Sequence, residues 1–342
     1  MEEHKVKDLY EGIDLRYLVT GATGFIGPYL IRRLVSQGHF CRCLVRPTSN
    51  TKVLEDLGVE LANGDITKAE TLHGIADGMD CIFHMATLGH TSNFIATEAI
   101  FERINVQGTI NVMEEALRAG VDRIVHCSSV AGMGICTEVP ATEESRCNPH
   151  HAYGRSKLRA EQEVLGMVLE NRLPAIIIRF SMVYGPGDWR DILKVTRMAK
   201  KGLFPKVGNR PKLTPLIHVD DAVQGLLLAE EKGRIGQIYL LTNQQSEPFD
   251  KIRKTIQEAL GVSRIPFYVP EWVAMTLASL SEKLFPLLGK APPITKKNME
   301  STLADRVFSI EKARKELGFE PQVDPETGLR DTVLWYRDKG WV

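Results

Sequence analysis

Residues 20 to 27 read Thr20-Gly21-Ala22-Thr23-Gly24-Phe25-Ile26-Gly27, three glycines at three-residue spacing. An apolar run, Tyr17–Thr20, leads into them, and an amphipathic helical pattern over Phe25–Gln37 follows. Glycine at this spacing lets the backbone turn tightly and approach a pyrophosphate. The start of the following helix offers unpaired N–H groups and the positive end of its dipole to the same anion. An ordinary βα turn also uses glycine for positive φ, but the strand before and the helix after are the context of a dinucleotide cradle. Gly21, Gly24 and Gly27, with Thr23, Phe25 and Ile26 between them, are the first candidate cofactor contacts.

Outward from this turn the same alternation continues. Short branched runs at Phe40–Val45, Glu60–Ala62, Cys81–His84, Arg123–Cys127 and Ala175–Arg179 are separated by helical patterns at Lys52–Leu57, Ala69–Ala76, Ile100–Ala119 and His151–Asn171. Strand and helix in strict alternation predict βαβ units, hence an α/β fold with a doubly wound parallel sheet of six strands and five helices. After Arg179 come irregular stretches at Tyr184–Asp188 and Leu203–Pro215, a strand-like Gln237–Thr242, a helix Phe249–Leu260 and a last helical pattern Ile310–Leu317 ending at Gly318. Residues 1–180 are therefore expected to form the cofactor-binding domain. Residues 181–342 are expected to form mainly a smaller substrate-binding cap, with about 216–245 returning to the first domain.

The end of the second strand should select the cofactor. An acid there binds ribose hydroxyls, and an arginine accepts a 2′-phosphate. The chain has Val45 where the acid would stand and Arg46 next to it, so NADP(H) is favoured, with NAD(H) as the alternative. Asp65, after Gly64 at the end of the third strand, is either an adenine contact or a capping carboxylate for the helix after it.

Tyr153-Gly154-Arg155-Ser156-Lys157 opens a helical segment, and the four-residue spacing puts Tyr153 and Lys157 on one face. A free phenol titrates near pH ~10, too high for an efficient base at neutrality. A lysine cation ~6 Å away at an effective dielectric of ~20 contributes roughly 3 kcal/mol, about two pKa units, in the right direction. A hydroxyl should hold the substrate oxygen beside Tyr153. The fifth strand ends at Cys127-Ser128-Ser129, the carboxyl edge where open α/β sheets bind ligands. Ser129 is the choice and Ser128 the alternative.

With these residues in place, the chain resembles the extended short-chain dehydrogenases/reductases, which include the NAD-dependent epimerase/dehydratase family. The resemblance rests on Thr20–Gly27, His84-Met85-Ala86, Asn105-Val106-Gln107-Gly108-Thr109, Ser128-Ser129, Tyr153 to Lys157, Arg179 to Asp188 and His218-Val219-Asp220-Asp221. It implies an NAD(P)-binding Rossmann fold with Ser129, Tyr153 and Lys157 catalytic and Asn105 near the proton path. It further implies cofactor contacts from Ile66, Met85, Ala86, Thr87, Lys157, Tyr153 and Val183, and a homodimer through the long helices on either side of the fifth strand.

Within the superfamily, Val130-Ala131 stand where the dehydratase branch has an Asp-Glu pair. Met182 and Thr214 stand where nucleotide-sugar epimerases carry an Asn and an Arg for the diphosphate, although Arg190, Arg197 or Arg210 are possible substitutes. Leu44 to Ser49 is similar to dihydroflavonol-reductase-like members. Pro292-Pro293-Ile294-Thr295, Lys312 to Gly318 and Gly328 to Val333 are similar to 3β-hydroxysteroid-dehydrogenase-like members. Those branches handle apolar alcohols and ketones. The apolar stretch Ile265 to Leu288 is read as the wall of a hydrophobic pocket, as packing of the cap or, third, as a shallow membrane contact.

Composition sets the outer limits. In 342 residues, 43 Lys and Arg balance 43 Asp and Glu, so no global charge draws the chain to nucleic acid. Six cysteines without a C-x-x-C pair fit reduced thiols in a cytoplasmic protein, and the charged Met1–Leu15 segment has no apolar signal core. No run is long and apolar enough to span a bilayer. Cys147, His150 and His151 lack metal-site spacing, so no metal is expected. The expected function is NAD(P)-dependent hydride transfer between the cofactor and a secondary alcohol or ketone as small-molecule substrate. The alternatives are an NAD-dependent sugar epimerase and a non-catalytic NADP-binding module.

Overall fold

Cys81–His84 and Ala175–Phe180 are buried along their whole length, which requires cover on both faces of the sheet they form. The computed structural model describes residues 14–89, 96–202, 206–263, 267–285, 292 and 295–342, without the side chains of 297, 298, 301 and 302. The charged segment before Asp14 lies outside the described residues, as do Ile265, residues 286–288, Pro293 and Ile294.

The six expected strands form as β1 (Arg16–Thr20), β2 (Phe40–Val45), β3 (Glu60–Asn63), β4 (Cys81–His84), β5 (Arg123–Ser129) and β6 (Ala175–Phe180). Two further strands, β7 (Met182–Tyr184) and β8 (Leu216–His218), pair in parallel with each other. The strand-like Gln237–Thr242 becomes β9 (Ile238–Leu241), which joins the main sheet beside β6. The sheet therefore has seven strands, in the order β3-β2-β1-β4-β5-β6-β9, all parallel. Strand order reverses between β1 and β4, the position where doubly wound sheets open a crevice at their carboxyl edge.

Helices α1 (Gly27–Ser36), α2 (Lys52–Glu55), α3 (Glu98–Phe101), α4 (Gly108–Ala119) and α5 (Ala152–Asn171) connect the strands. Two expectations change here. The pattern Ala69–Ala76 yields a 3₁₀ turn at Ala69–Thr71 and then irregular backbone, because Gly74 takes φ +82°. The Glu115 carboxylate on α4 accepts the Gly74 and Ala76 N–H groups at 2.8 and 3.4 Å, replacing the helix ladder. The pattern Ile100–Ala119 is interrupted by a π-helical turn, Glu102–Gln107, that carries Asn105. Such single π turns re-aim side chains and concentrate at functional sites.

Beyond β6, helices α6 (Asp191–Lys201), α7 (Val219–Lys232), α8 (Phe249–Leu260), α9 (Glu271–Leu284), α10 (Lys296–Leu303), α11 (Glu311–Leu317) and α12 (Pro325–Asp338) follow. The α8 residues Ile252, Thr255, Ile256 and Ala259 recur at helical spacing and are buried, the stripe that makes an amphipathic helix pack. Ile252, Ile256 and Ala259 join Tyr184, Ile192, Leu193, Leu329, Val333 and Tyr336 in a core of their own. The His218-Val219-Asp220-Asp221 stretch is structural: His218 caps α7 through the Asp220 N–H, and Asp221 accepts the Gln322 and Val323 N–H groups at 2.8 and 3.2 Å. Among the described residues, no helix is long and apolar enough to cross a membrane.

Candidate active site

Gly21 has φ +74°, and a Cβ there would lie 2.7 Å from the Ala86 nitrogen, so only glycine allows the β1 turn to touch the exit of β4 backbone to backbone. A Cβ on Gly27 would approach the Ala22 oxygen to 2.2 Å, which is how closely α1 seats against the turn. Gly24 closes the turn by donating its N–H to the Gly21 carbonyl at 2.9 Å. Ile26 caps α1 without a side-chain hydrogen bond, and the first turn of α1 contains no acid. A helix start with neither side-chain cap nor acidic residue is complementary to an external anion, so this turn fits a dinucleotide pyrophosphate.

The turn is locked to β4 by a chain of buried hydrogen bonds. Thr109 Oγ1 donates to the Asn105 carbonyl at 2.7 Å and so must accept from His84 Nε2 at 3.0 Å. His84 Nδ1 then accepts from Thr20 Oγ1 at 2.7 Å, and Thr20 Oγ1 accepts the Ala86 N–H at 3.2 Å. Every proton has one destination, which fixes the neutral Nε2–H tautomer of His84. Burial and the Lys157 charge push its pKa down to about 3. His126 on β5 stacks on His84 with ring centroids 5.2 Å apart and is lowered for the same reasons.

Both imidazoles stay neutral in the folded protein, while in the unfolded chain they take up protons near pH ~6.5. The unfolded state thus binds more protons as pH falls from ~6.5 toward 3, and stability drops by up to about 1.4 kcal/mol per pH unit for each histidine. Thermal unfolding should show Tm falling across this window, and falling less steeply in His126→Leu. Equal slopes for the two proteins would contradict the assignment.

A cleft of about 640 Å³ opens at the carboxyl edge of the sheet. Of the residues expected from sequence, Ile26, Met85, Thr87, Ser129, Tyr153, Lys157 and Val183 line it, as does the alternative Ser128. Tyr153 sits in the first turn of α5, which His151 caps by accepting the Gly154 N–H at 2.9 Å. The Ser129 hydroxyl hydrogen-bonds the Tyr153 phenol, while its Oγ also accepts the Ala131 N–H at 3.2 Å. Lys157, 2 % exposed, donates from Nζ to the Cys127 carbonyl at 2.6 Å, and burial lowers its pKa to about 8. Burial raises Tyr153 above the ordinary phenol value, opposed by the Ser129 hydrogen bond and then by Arg190. Lys157 is not among the largest influences on Tyr153. Lys157 is engaged with a backbone carbonyl, and Tyr153 is a protonated phenol at neutral pH.

Ser128 has a different task from Ser129. Its hydroxyl donates to Glu161, which is held by Arg179 through Nη2 at 2.7 Å and Nε at 3.1 Å. Asn105, 1 % exposed, is fully engaged: Oδ1 accepts from Thr87 Oγ1 and the Leu88 N–H at 3.0 and 2.7 Å, and Nδ2 donates to Ser156 Oγ and the Leu88 carbonyl at 2.9 and 3.1 Å. This amide joins the loop after β4 to Ser156 on α5, one residue before Lys157.

The remaining expected contacts lie at the ends of β1 to β4, outside this cleft. Arg46 is exposed in a turn where its carbonyl accepts the Ser49 N–H at 2.9 Å, and its charge lies near Asp65. Asp65 accepts the Thr67 N–H and hydroxyl at 2.9 and 2.8 Å, the capping alternative, although the segment it caps is only a short turn. Ile66 is fixed through its carbonyl by Asn111 Nδ2 at 2.7 Å.

Residues 267–285 supply no lining to the cleft, and α9 exposes Trp272, Leu277, Leu280 and Leu284. Pro292 and Thr295 line the cleft instead. Of the three arginines weighed as diphosphate anchors, Arg190 alone lines it, bound to Asp188 at 2.7 Å and seated over the Phe25 ring. Arg197 is turned to the Trp341 carbonyl. Sequence reasoning missed Asp191, His151 and Arg306 in the lining. The Gly-Pro-Gly-Asp-Trp-Arg run signalled a loop at the site, but nothing near Arg306 marked it.

The family model described as "NAD dependent epimerase/dehydratase family" matches residues 17–241. The 2-alkyl-3-oxoalkanoate reductase of Stenotrophomonas maltophilia is 29% identical, covering 92% of this chain and 98% of that protein. The decarboxylating sterol-4-alpha-carboxylate 3-dehydrogenase erg26 of Schizosaccharomyces pombe is 28% identical over 93% of this chain and 96% of its own. The crystal structure of gox2253 superposes with a TM-score of 0.85 at 34% identity, over 96% of this chain and 100% of that one. By its seven-stranded parallel sheet and the span matched, the chain belongs to the NAD-dependent epimerase/dehydratase family and is an NAD(P)-dependent oxidoreductase of the extended short-chain type.

Proposed function

We propose that the protein reduces a ketone to a secondary alcohol, with Tyr153 as proton donor, Ser129 as the hydrogen-bonding hydroxyl and Lys157 as the ribose-binding cation. One observation carries the reading: a protonated phenol, hydrogen-bonded to Ser129, lies in the same cleft as Lys157. The phenol gives its proton to the developing alkoxide, and the Ser129 hydroxyl orients the carbonyl oxygen. Bound nicotinamide supplies the hydride. Gly21, Thr23, Gly24, Phe25, Ile26 and Gly27 hold the pyrophosphate, Asp65 and Ile66 meet the adenine, and Met85, Ala86, Thr87 and Val183 border the nicotinamide half. Asn105 acts as a positioning residue. Relatives named for an oxoalkanoate and a sterol carboxylate support a substrate with a large apolar part. The test is consumption of NADPH with a panel of 3-oxoalkanoates, oxosteroids and flavonoid ketones; failure of every class despite tight NADPH binding contradicts it.

NADP(H) is the proposed cofactor, since Arg46 is exposed at the β2 exit where an acid would repel the extra phosphate. Arg46→Ala should raise KM for NADPH by roughly tenfold and leave KM for NADH within a factor of about two. Equal changes for both cofactors would assign Arg46 to the loop alone. The proposed assembly is a homodimer through α4 and α5, with residues 181–342, apart from about 216–245, forming the cap over each cleft. All six thiols are free, in keeping with a cytoplasmic protein.

A further inference from the structure

Arg306 follows α10 on a segment pinned from several sides. Its N–H donates to the Leu213 carbonyl at 3.1 Å, and its carbonyl accepts from Ser246 Oγ at 2.8 Å. Ala141 clasps the next residues, donating to the Val307 carbonyl at 2.9 Å and accepting the Ser309 N–H at 2.8 Å. The side chain so held lines the cleft that contains Ser129 and Tyr153.

The other charged groups that shape this region have partners. Arg179 is bound to Glu161, Arg190 to Asp188, and Lys157 to the Cys127 carbonyl. Arg306 differs. Its Nε is buried with no hydrogen-bond partner, and among the described residues it forms no ion pair. The adjacent Asp305 offers no compensation, since its carboxylate accepts the Leu213 N–H on the exposed side of the segment. Burial without a counter-charge holds the guanidinium below its ordinary pKa. A buried donor left unmade is costly, and a guanidinium fork matches a carboxylate with two parallel hydrogen bonds.

We propose that Arg306 anchors a carboxylate carried by the substrate, so that the ketone reduced in this cleft belongs to an oxo acid with an apolar tail. The inference rests on the reductase reading for the reaction but not for the binding. A carboxylate on an apolar tail suits the cleft because Phe180, Met182, Val183 and Pro292 line it together with Arg306.

Calorimetric titration of the NADP-saturated protein with octanoate, methyl octanoate and UDP tests it. Octanoate should bind the wild type more tightly than its ester. Arg306→Gln should weaken octanoate by roughly 10- to 100-fold and move the acid-to-ester ratio toward one, with Arg306→Lys intermediate. If Arg306→Gln does not fold, the acid-to-ester ratio of Arg306→Lys against wild type decides. Unchanged octanoate affinity in the variants, or UDP binding that depends on Arg306, overturns the proposal. Because binding requires no turnover, octanoate captured through Arg306 by a protein that reduces no ketone would overturn only the reductase reading.

Discussion

Tyr153→Phe is expected to lower kcat for ketone reduction by about 100- to 10,000-fold while dinucleotide affinity stays within about twofold of wild type. The substitution removes one oxygen from a buried ring that α5 and Ser129 hold in place, so the fold has little to lose. The chemistry loses its acid. In reduction a negative charge develops on the carbonyl oxygen, and a neighbouring phenol that is protonated through the neutral range quenches it. Since burial already raises Tyr153, the reduction rate should stay flat across neutral pH and fall only in alkaline solution. Stopped-flow oxidation of NADPH with the best ketone of the panel measures both effects. Full turnover by Tyr153→Phe would remove Tyr153 from the mechanism, and rate loss accompanied by loss of dinucleotide binding would make its role structural.

The largest stability effect is expected at Glu161→Ala. Glu161 and Arg179 have side chains only 2 % and 4 % exposed, joined at 2.7 Å, and Arg179 also donates to the Glu143 carbonyl at 3.3 Å. The group links α5, the end of β5 through Ser128, and β6. Breaking a buried pair from one side leaves an uncompensated charge, which costs about 3–5 kcal/mol. At this chain length that lowers Tm by roughly 10 °C. Replacing both partners together, as Glu161→Met with Arg179→Met, should be markedly less damaging than Glu161→Ala alone, because no charge is then left buried. A single variant that unfolds within a degree or two of wild type would mean that water reaches the pair.

The sheet and the grouping of Ser129, Tyr153 and Lys157 in one cleft are legible in sequence for a common physical reason. Parallel strands buried on both faces must be apolar along their length, and catalysis by phenol and lysine needs a fixed helical spacing, so both leave local patterns. The features that stay hidden depend on contacts between distant segments. The Ala69–Ala76 helix fails to form because Glu115, on another element, satisfies its N–H groups. The Lys157 ammonium donates to the Cys127 carbonyl, 30 residues away in sequence, a contact that the Tyr153–Lys157 spacing does not announce. Ser128 and Ser129 are adjacent in sequence, yet strand alternation sends one to Glu161 and the other to Tyr153. Arg306 has no local signature, since its meaning comes from the partners it lacks.

Transfer of deuterium from C4-deuterated NADPH tests the central claim most directly. Incubated with an oxo acid substrate, the wild-type protein should place one deuterium on the carbinol carbon of the product, with stoichiometric formation of NADP, and Tyr153→Phe should suppress both together. A product free of deuterium, or inversion of a sugar alcohol with the label retained by the dinucleotide, would contradict net reduction by this site.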